Sequence, residues 1–268
     1  MRPNRIDECF SRLRRSRRKA FVAYLTAGDP DLAATRSLVE MFEKAGVDIL
    51  ELGVPFSDPL ADGVVNQLAA DRALKSGTTL KGILQTVSKL RRNGCRLPLV
   101  LFTYFNPLHR HGVQRFIRDA SKAGVDGVLN LDLPPEESEA YGVWMERAGL
   151  HPIYLVAPTT SPDRLAGIAG KARGFIYYVS REGVTGMQKT LAQGIVSRVR
   201  QIRRHTRVPV VVGFGISTPK QVRLAAQLAD GCVVGSAIVD RIGRIGRSPA
   251  LARRVGTFVR SLTRSIQP

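Results

Sequence analysis

Cysteine is scarce in this chain: Cys9, Cys95 and Cys232 stand far apart, with no C-x-x-C pair. So odd and scattered a set excludes a disulfide scaffold and a thiolate zinc site, and it fits a reducing cytoplasm. Long apolar runs are missing too; none approaches the roughly 20 residues that a membrane-spanning helix needs. Aromatic residues reach only 6%, with one tryptophan, which is thin material for stacking nucleic-acid bases. Acidic residues are few as well, 22 against 41 basic ones, for a net charge of +19. Lysine is the minor part of that basic set, with 9 residues beside 32 arginines. The arginines are spread along the chain, with one knot at Arg12, Arg14, Arg15, Arg17, Arg18 and Lys19. Such scatter describes a solvated arginine-rich surface, with neither nucleic acid nor membrane expected as a partner.

Hydrophobic residues make up 44% and charged residues 24% of the 268, ordinary values for a folded globular chain with room for a sizeable core. Arg17-Arg18 ahead of residues 20–25 has the outline of an export signal, but the apolar part is short and runs into Gly28-Asp29-Pro30. That tripeptide predicts a turn in which Asp29 caps a helix and Pro30 takes its first position. Upstream, Ile6, Phe10 and Leu13 share one helical face. Residues 1–19 are therefore expected to form a basic helix that docks on the body of a single domain spanning 1–268.

Strand-like apolar runs recur at 21–25, 48–52, 97–102, 126–131, 153–156, 174–179, 208–212 and 231–234. Helix-length segments lie between them, among them 32–45, 113–123, 136–148, 194–205 and 219–229. Alternation of this kind, with strands apolar throughout, implies parallel pairing under an outer layer of helices. A weak internal echo supports it: Lys44-Ala45-Gly46-Val47-Asp48 returns as Lys122-Ala123-Gly124-Val125-Asp126. Each glycine sits just past a helix, where a left-handed cap is required. Eight such strands predict an α/β (β/α)8 barrel with an extra N-terminal helix, and a doubly wound open sheet is the alternative.

In a barrel the chemistry sits where strands end. Period-2 alternation from Ile49 places Glu51 on the inward face of the second strand. An inward carboxylate costs several kcal/mol unless paired or protonated, so its pKa should rise, as suits a general acid–base. A Glu held by neighbouring backbone groups is the other reading of that position. Glycine pairs follow the later strands, in Gly183-Val184-Thr185-Gly186, Gly213-Phe214-Gly215-Ile216-Ser217 and Gly235-Ser236. Glycines let backbone N–H groups approach phosphate oxygens, and phosphate sites after the seventh and eighth strands recur in such barrels. The dinucleotide fingerprint fails, because Thr218 stands where its third glycine belongs. His109 and His111 fall in an expected loop after Asn106-Pro107 without a nearby carboxylate, so no metal site is expected. No lysine lies in a predicted strand, which argues against Schiff-base chemistry. A carboxylate-driven reaction on a phosphorylated substrate remains.

The run Glu51-Leu52-Gly53-Val54-Pro55-Phe56-Ser57-Asp58-Pro59-Leu60-Ala61-Asp62-Gly63 resembles the signature of the tryptophan synthase alpha subunit family. The resemblance extends over nearly the whole chain, through Thr26-Ala27-Gly28-Asp29-Pro30, Tyr104 with Asn106-Pro107, Asp132-Leu133-Pro134, Tyr177 with Ser180-Arg181, and the three glycine loops. It implies a (β/α)8 barrel that cleaves indole-3-glycerol phosphate by retro-aldol chemistry to indole and glyceraldehyde 3-phosphate. It also implies a cytoplasmic α2β2 heterotetramer with a beta subunit that carries the pyridoxal phosphate, and no cofactor on this chain. By the same resemblance Glu51 is the general acid–base and Asp62 the carboxylate that holds the indole N–H. Tyr24, Phe102, Tyr104, Tyr177 and Phe214 belong to the substrate pocket. Gly186, Gly215, Gly235 and Ser236 belong to the phosphate cradle, and Thr185 to the loop that closes over it. Pro55, Asp58 and Pro59 fall in the stretch that meets the beta subunit.

The chain departs from the family pattern just after Asp62-Gly63. Val64, Val65, Asn66 and Gln67 stand where Pro, a variable residue, Ile and Gln are usual, so Asn66 is polar at an apolar pocket position. Tyr24 stands in place of a common Phe, and Phe105 is bulky beside Tyr104. Two further readings stay open: a stand-alone lyase that releases free indole, and a non-catalytic barrel that binds phosphate or nucleic acid.

Overall fold

A computed structural model describes residues 3–179 and 188–266. The chain begins with α1 (Arg5–Arg15), β1 (Ala20–Thr26), α2 (Leu32–Lys44) and β2 (Ile49–Gly53). Two helices, α3 (Val64–Lys75) and α4 (Leu80–Arg92), precede β3 (Leu99–Thr103), and two more, α5 (Phe105–His111) and α6 (Val113–Ala123), precede β4 (Gly127–Asn130). Then come α7 (Glu139–Arg147), β5 (His151–Val156), α8 (Pro162–Lys171), β6 (Ile176–Val179), α9 (Gln188–His205) and β7 (Val210–Gly213). The chain finishes with α10 (Pro219–Leu228), β8 (Gly231–Val234), α11 (Ser236–Ile245) and α12 (Leu251–Thr263). The eight strands pair in chain order, all parallel, and β1 closes on β8. The barrel, and not the open sheet, is the architecture. Among the described residues no helix is long and apolar enough to cross a membrane.

Every residue of β1 and β2 is buried, which is why the strands read as continuous apolar runs. Alternate residues serve two cores. Phe21, Ala23 and Leu25 pack under the surrounding helices, while Ala20 and Val22 join Ile49, Val100 and Val233 inside the barrel. Helix α1 closes the end where the strands begin. Asn4 caps it through a box with Asp7, and Ile6, Cys9, Phe10 and Leu13 pack into the interior core. The Phe10 and Phe175 rings meet at 6.1 Å. With that end plugged, the opposite end is the one left for chemistry.

The two echoed aspartates, Asp48 and Asp126, share a task at the plugged end with Asp230, which lies outside the echo. Asp48, Asp126 and Asp230 each stand immediately before an even-numbered strand. They accept the backbone N–H of Phe21 at 3.0 Å, Leu99 at 2.8 Å and Val210 at 3.0 Å, respectively, each at the start of the strand before. Arginines then pair with them: Arg12 with Asp48, Arg5 and Arg91 with Asp126, and Arg203 with Asp230. Part of the arginine excess is thus spent on the barrel rim.

Two local expectations change. Asp31, not Asp29, caps α2 by accepting from the N–H of Ala34 at 2.8 Å, because the helix starts after Pro30. Asp29 is instead buried and takes both Nε and Nη2 of Arg72 at 2.9 and 2.7 Å. His109 and His111 lie in α5, and the Asp119 carboxylate reaches His111 Nε2 at 2.8 Å. The missing carboxylate comes from α6, eight residues further along the chain. His151 pairs separately with Asp7 at 2.6 Å.

Candidate active site

Glu51 sits in β2 with Tyr24 and Val100 as its ladder neighbours. It is 1% exposed, and neither carboxyl oxygen has a hydrogen-bond partner among the described residues. The expectation of an inward side chain holds, and the alternative of a Glu satisfied by backbone does not. With no cation beside it among the described residues, burial pushes its carboxyl up to about 8. Below that pH the group is an acid poised over the open end of the barrel.

The loop after β2 brings a second carboxylate. Asp62 lies just ahead of α3, whose N-cap Gly63 supplies no side chain. Tyr104 donates its hydroxyl to Asp62 Oδ2 at 3.0 Å and accepts from the Ala61 N–H at 3.0 Å. Asn66 donates Nδ2 to Asp62 Oδ1 at 3.4 Å, and Gln67 donates to the Asp62 backbone carbonyl at 2.9 Å. Burial pushes the Asp62 carboxyl up, and the Tyr104 and Asn66 donors pull the other way. The Arg72–Asp29 pair ties the far end of α3 to the loop after β1, so the helix that follows Asp62 is held at both ends.

Between these groups lies a cavity of about 360 Å³. Glu51, Tyr24, Phe102 and Tyr177 form its floor, and Val64, Val65 and Asn66 of α3 form one wall. Tyr24 packs edge-on against Phe102 with centroids 5.1 Å apart. Glycine makes room for the floor tyrosines: a Cβ at Gly213 would stand 2.5 Å from the Tyr177 hydroxyl, and one at Gly53 would stand 2.3 Å from that of Tyr24. Gly215 turns at φ +75, and Gly235 caps α11 without a side-chain bond. By contrast, Thr218 and Gln221 close the start of α10 in a capping box. Among the described residues the Ser236 and Ala237 N–H groups stay available at the cavity rim, while Ile238 N–H donates back to the Gly235 carbonyl at 2.8 Å; such a helix start favours an anion.

The site thus joins an aromatic floor, an acid unpaired among the described residues and a helix start without a side-chain cap. The family model described as "Tryptophan synthase alpha chain" matches residues 10–266. The chain is 50% identical over 263 residues to the tryptophan synthase alpha chain of Geobacter sulfurreducens, covering 98% of this chain and 99% of that one. It is 52% identical over 243 residues to the tryptophan synthase alpha chain of Opitutus terrae, with 89% and 90% covered. Among solved structures, the tryptophan synthase subunit alpha of Legionella pneumophila matches with a TM-score of 0.90 at 35% identity, over 99% of each chain. The chain belongs to the tryptophan synthase alpha chain family.

In this member of the family, most residues singled out in the sequence converge. Glu51, Tyr24, Phe102, Tyr177, Phe214, Gly215, Gly235 and Ser236 all line the one cavity. Asp62 and Tyr104 join it at the edge through their mutual hydrogen bond and through Asn66. Thr185 and Gly186 lie outside the described residues. Of the three rim positions, Asp58 is exposed and Pro59 half-buried, while Pro55 is buried because it packs at the end of β2. Pro55 shapes the rim from beneath and offers a partner no surface. Sequence reasoning passed over Val179, Ile216 and Val233, which also line the cavity. Val179 was legible, two residues beyond Tyr177 on the same face of β6. Arg72 was not, since its partner Asp29 is distant in sequence.

Proposed function

We propose that this chain cleaves indole-3-glycerol phosphate by retro-aldol chemistry, releasing indole and glyceraldehyde 3-phosphate in tryptophan biosynthesis. The observation that carries the reading is Glu51, a buried acid without a partner among the described residues at the floor of the cavity, with burial pushing its carboxyl up to about 8. Cleavage needs a proton on indole C3 and the loss of one from the carbinol O–H of the side chain. Glu51 supplies the first and, once ionised, accepts the second. The C3–C bond breaks between the two transfers, its electron pair returning to the indole ring and the carbinol carbon becoming an aldehyde. The acid is thereby regenerated, so one residue closes the cycle. Asp62 stands where it can accept the ring N–H and stabilise the positive charge that C3 protonation spreads over the ring. Two carboxyls in unlike surroundings keep unlike protonation states.

Gly215, Gly235 and Ser236 cradle the phosphate at the start of α11, and family resemblance adds Gly186 and the closing residue Thr185. Asp58 and Pro59 face a beta subunit, beside Leu60 and Val64 at 83% and 69% exposed. Exposed apolar groups of this size rimmed by polar ones suit a protein interface. The assembly is an α2β2 heterotetramer in the cytoplasm, with pyridoxal phosphate held by the beta subunit. Steady-state indole release, measured for the chain alone and with the beta subunit of the same genome, tests the reading. A low basal rate raised by the partner is expected. Full basal activity without stimulation would assign the stand-alone lyase instead, and no indole in either arm would leave only a binding protein.

A further inference from the structure

Asn66 occupies the third position of α3, one helical turn beyond Asp62, and its side chain points into the cavity above Glu51. Its amide is oriented by chemistry. Asp62 can only accept in its ionised form, so the amide turns its NH2 toward that carboxylate, with Nδ2 3.4 Å from Oδ1. The carbonyl Oδ1 is then directed elsewhere. It is buried and has no hydrogen-bond partner among the described residues. An unpaired buried acceptor is expensive, and within a ligand cavity it marks a place where a ligand supplies the donor.

We propose that Asn66 is a specificity-determining residue whose Oδ1 accepts a hydrogen bond from the ring N–H of the substrate. This rests on the cleavage reading above and adds a second acceptor to it. Asp62 keeps both of its oxygens engaged, one by the Tyr104 hydroxyl and one by Asn66 Nδ2, and its remaining lone pairs share the N–H with the amide carbonyl. Asn66 thus holds the carboxylate with one end and reads the ring with the other. Apolar side chains at Val64 and Val65 of this wall, and at Phe102 of the floor, have no donor–acceptor preference of their own. The ligand class that satisfies the site is a flat bicyclic heteroaromatic with an N–H on its edge. An isostere with oxygen in place of the N–H brings a lone pair against two acceptors and is rejected.

The test compares binding of indole and benzofuran, which match in shape and differ in the donor. Dissociation constants are measured by calorimetry on the full chain, with Asn66→Leu and Asn66→Ser beside the unmodified protein. Indole should win clearly in the unmodified chain, and both variants should lose about tenfold of that preference, the contribution of one hydrogen bond. Indole affinity should fall while benzofuran affinity holds or rises. A merely structural role would weaken both ligands together and leave their ratio intact, and that result would overturn the proposal. So would full discrimination retained in either variant. Asn66→Leu removes a buried unpaired acceptor, so its melting temperature should not fall; if it does, Asn66→Ser supplies the ratio. Because the readout is binding, it stands whether or not the chain cleaves indole-3-glycerol phosphate, so failure of the cleavage assay and failure here are separable.

Discussion

At the scale of single residues, Glu51 sets both the chemistry and a liability. Its folded-state pKa of about 8 lies above the ordinary value of 4.5. Between those values the folded protein keeps a proton that the unfolded chain has lost, so this group's contribution to stability falls as pH rises through that window. Activity follows the same proton. The cleavage rate should hold below about pH 8 and decline above it as the acid ionises. At the acid end it should fall as Asp62 takes up a proton, within a range displaced upward from ordinary aspartates by burial. Glu51→Gln keeps the shape without the proton and should lower turnover by ~10²–10⁴ with little change in substrate affinity. The same variant should melt higher than the unmodified chain at about pH 9, where the native carboxylate would be buried and unpaired. Kinetics and a melting curve at two pH values check both halves. Near-normal turnover would remove Glu51 from the mechanism.

Elements are held by the aspartates at the plugged end, and their weights differ by burial. Asp126 is 1% exposed, and Arg91, at 11%, is nearly as dry. Arg91 also donates to the carbonyls of Gly124, Cys95 and Leu97, so one side chain sews α4 to the entrances of β3 and β4. Asp126→Ala would leave that guanidinium buried without its counter-charge and the Leu99 N–H without its acceptor. A loss of about 3–5 kcal/mol is expected in urea unfolding. Arg12 tells the opposite story, being 62% exposed and 3.8 Å from Asp48. Arg12→Ala should cost under about 1 kcal/mol, as exposed pairs do. Equal costs for the two variants would mean that burial does not set the weight of these pairs. The repeated Gly-Val-Asp showed in the sequence that these positions are alike. Which arginine answers each aspartate was invisible there, since Arg91 and Arg5 arrive from different elements.

For the whole molecule, the two ends of the barrel divide the labour. Basic residues of α1 gather at the plugged end, while the open end presents exposed Leu60 and Val64 beside Asp58. The proposed beta-subunit surface lies at the open end, away from the basic residues of α1. Asp58→Ala should therefore lower the ratio of beta-stimulated to basal indole formation. DNA at physiological salt should leave the basal rate unchanged, because scattered arginines attract it only through a field screened beyond roughly 8 Å. One steady-state assay with partner, DNA and variant as separate additions decides this. Inhibition by DNA would place a polyanion site near the open end after all.

Strand–helix alternation, the inward face of Glu51 and the glycine loops after β7 and β8 were all legible in the chain because each depends on local periodicity or local backbone freedom. The barrel followed from counting such units. Tertiary structure alone decided the rest. The pairing of Asp29 with Arg72, the bond from Tyr104 to Asp62 and the carboxylate beside His111 join residues that sequence separates. Nothing in the chain showed that Asp62 and Asn66 would share one hydrogen bond, or that Glu51 would have none among the described residues. An ionisation raised to about 8 is a property of the dry floor that eight closed strands create around one carboxyl, and no window of sequence contains that floor.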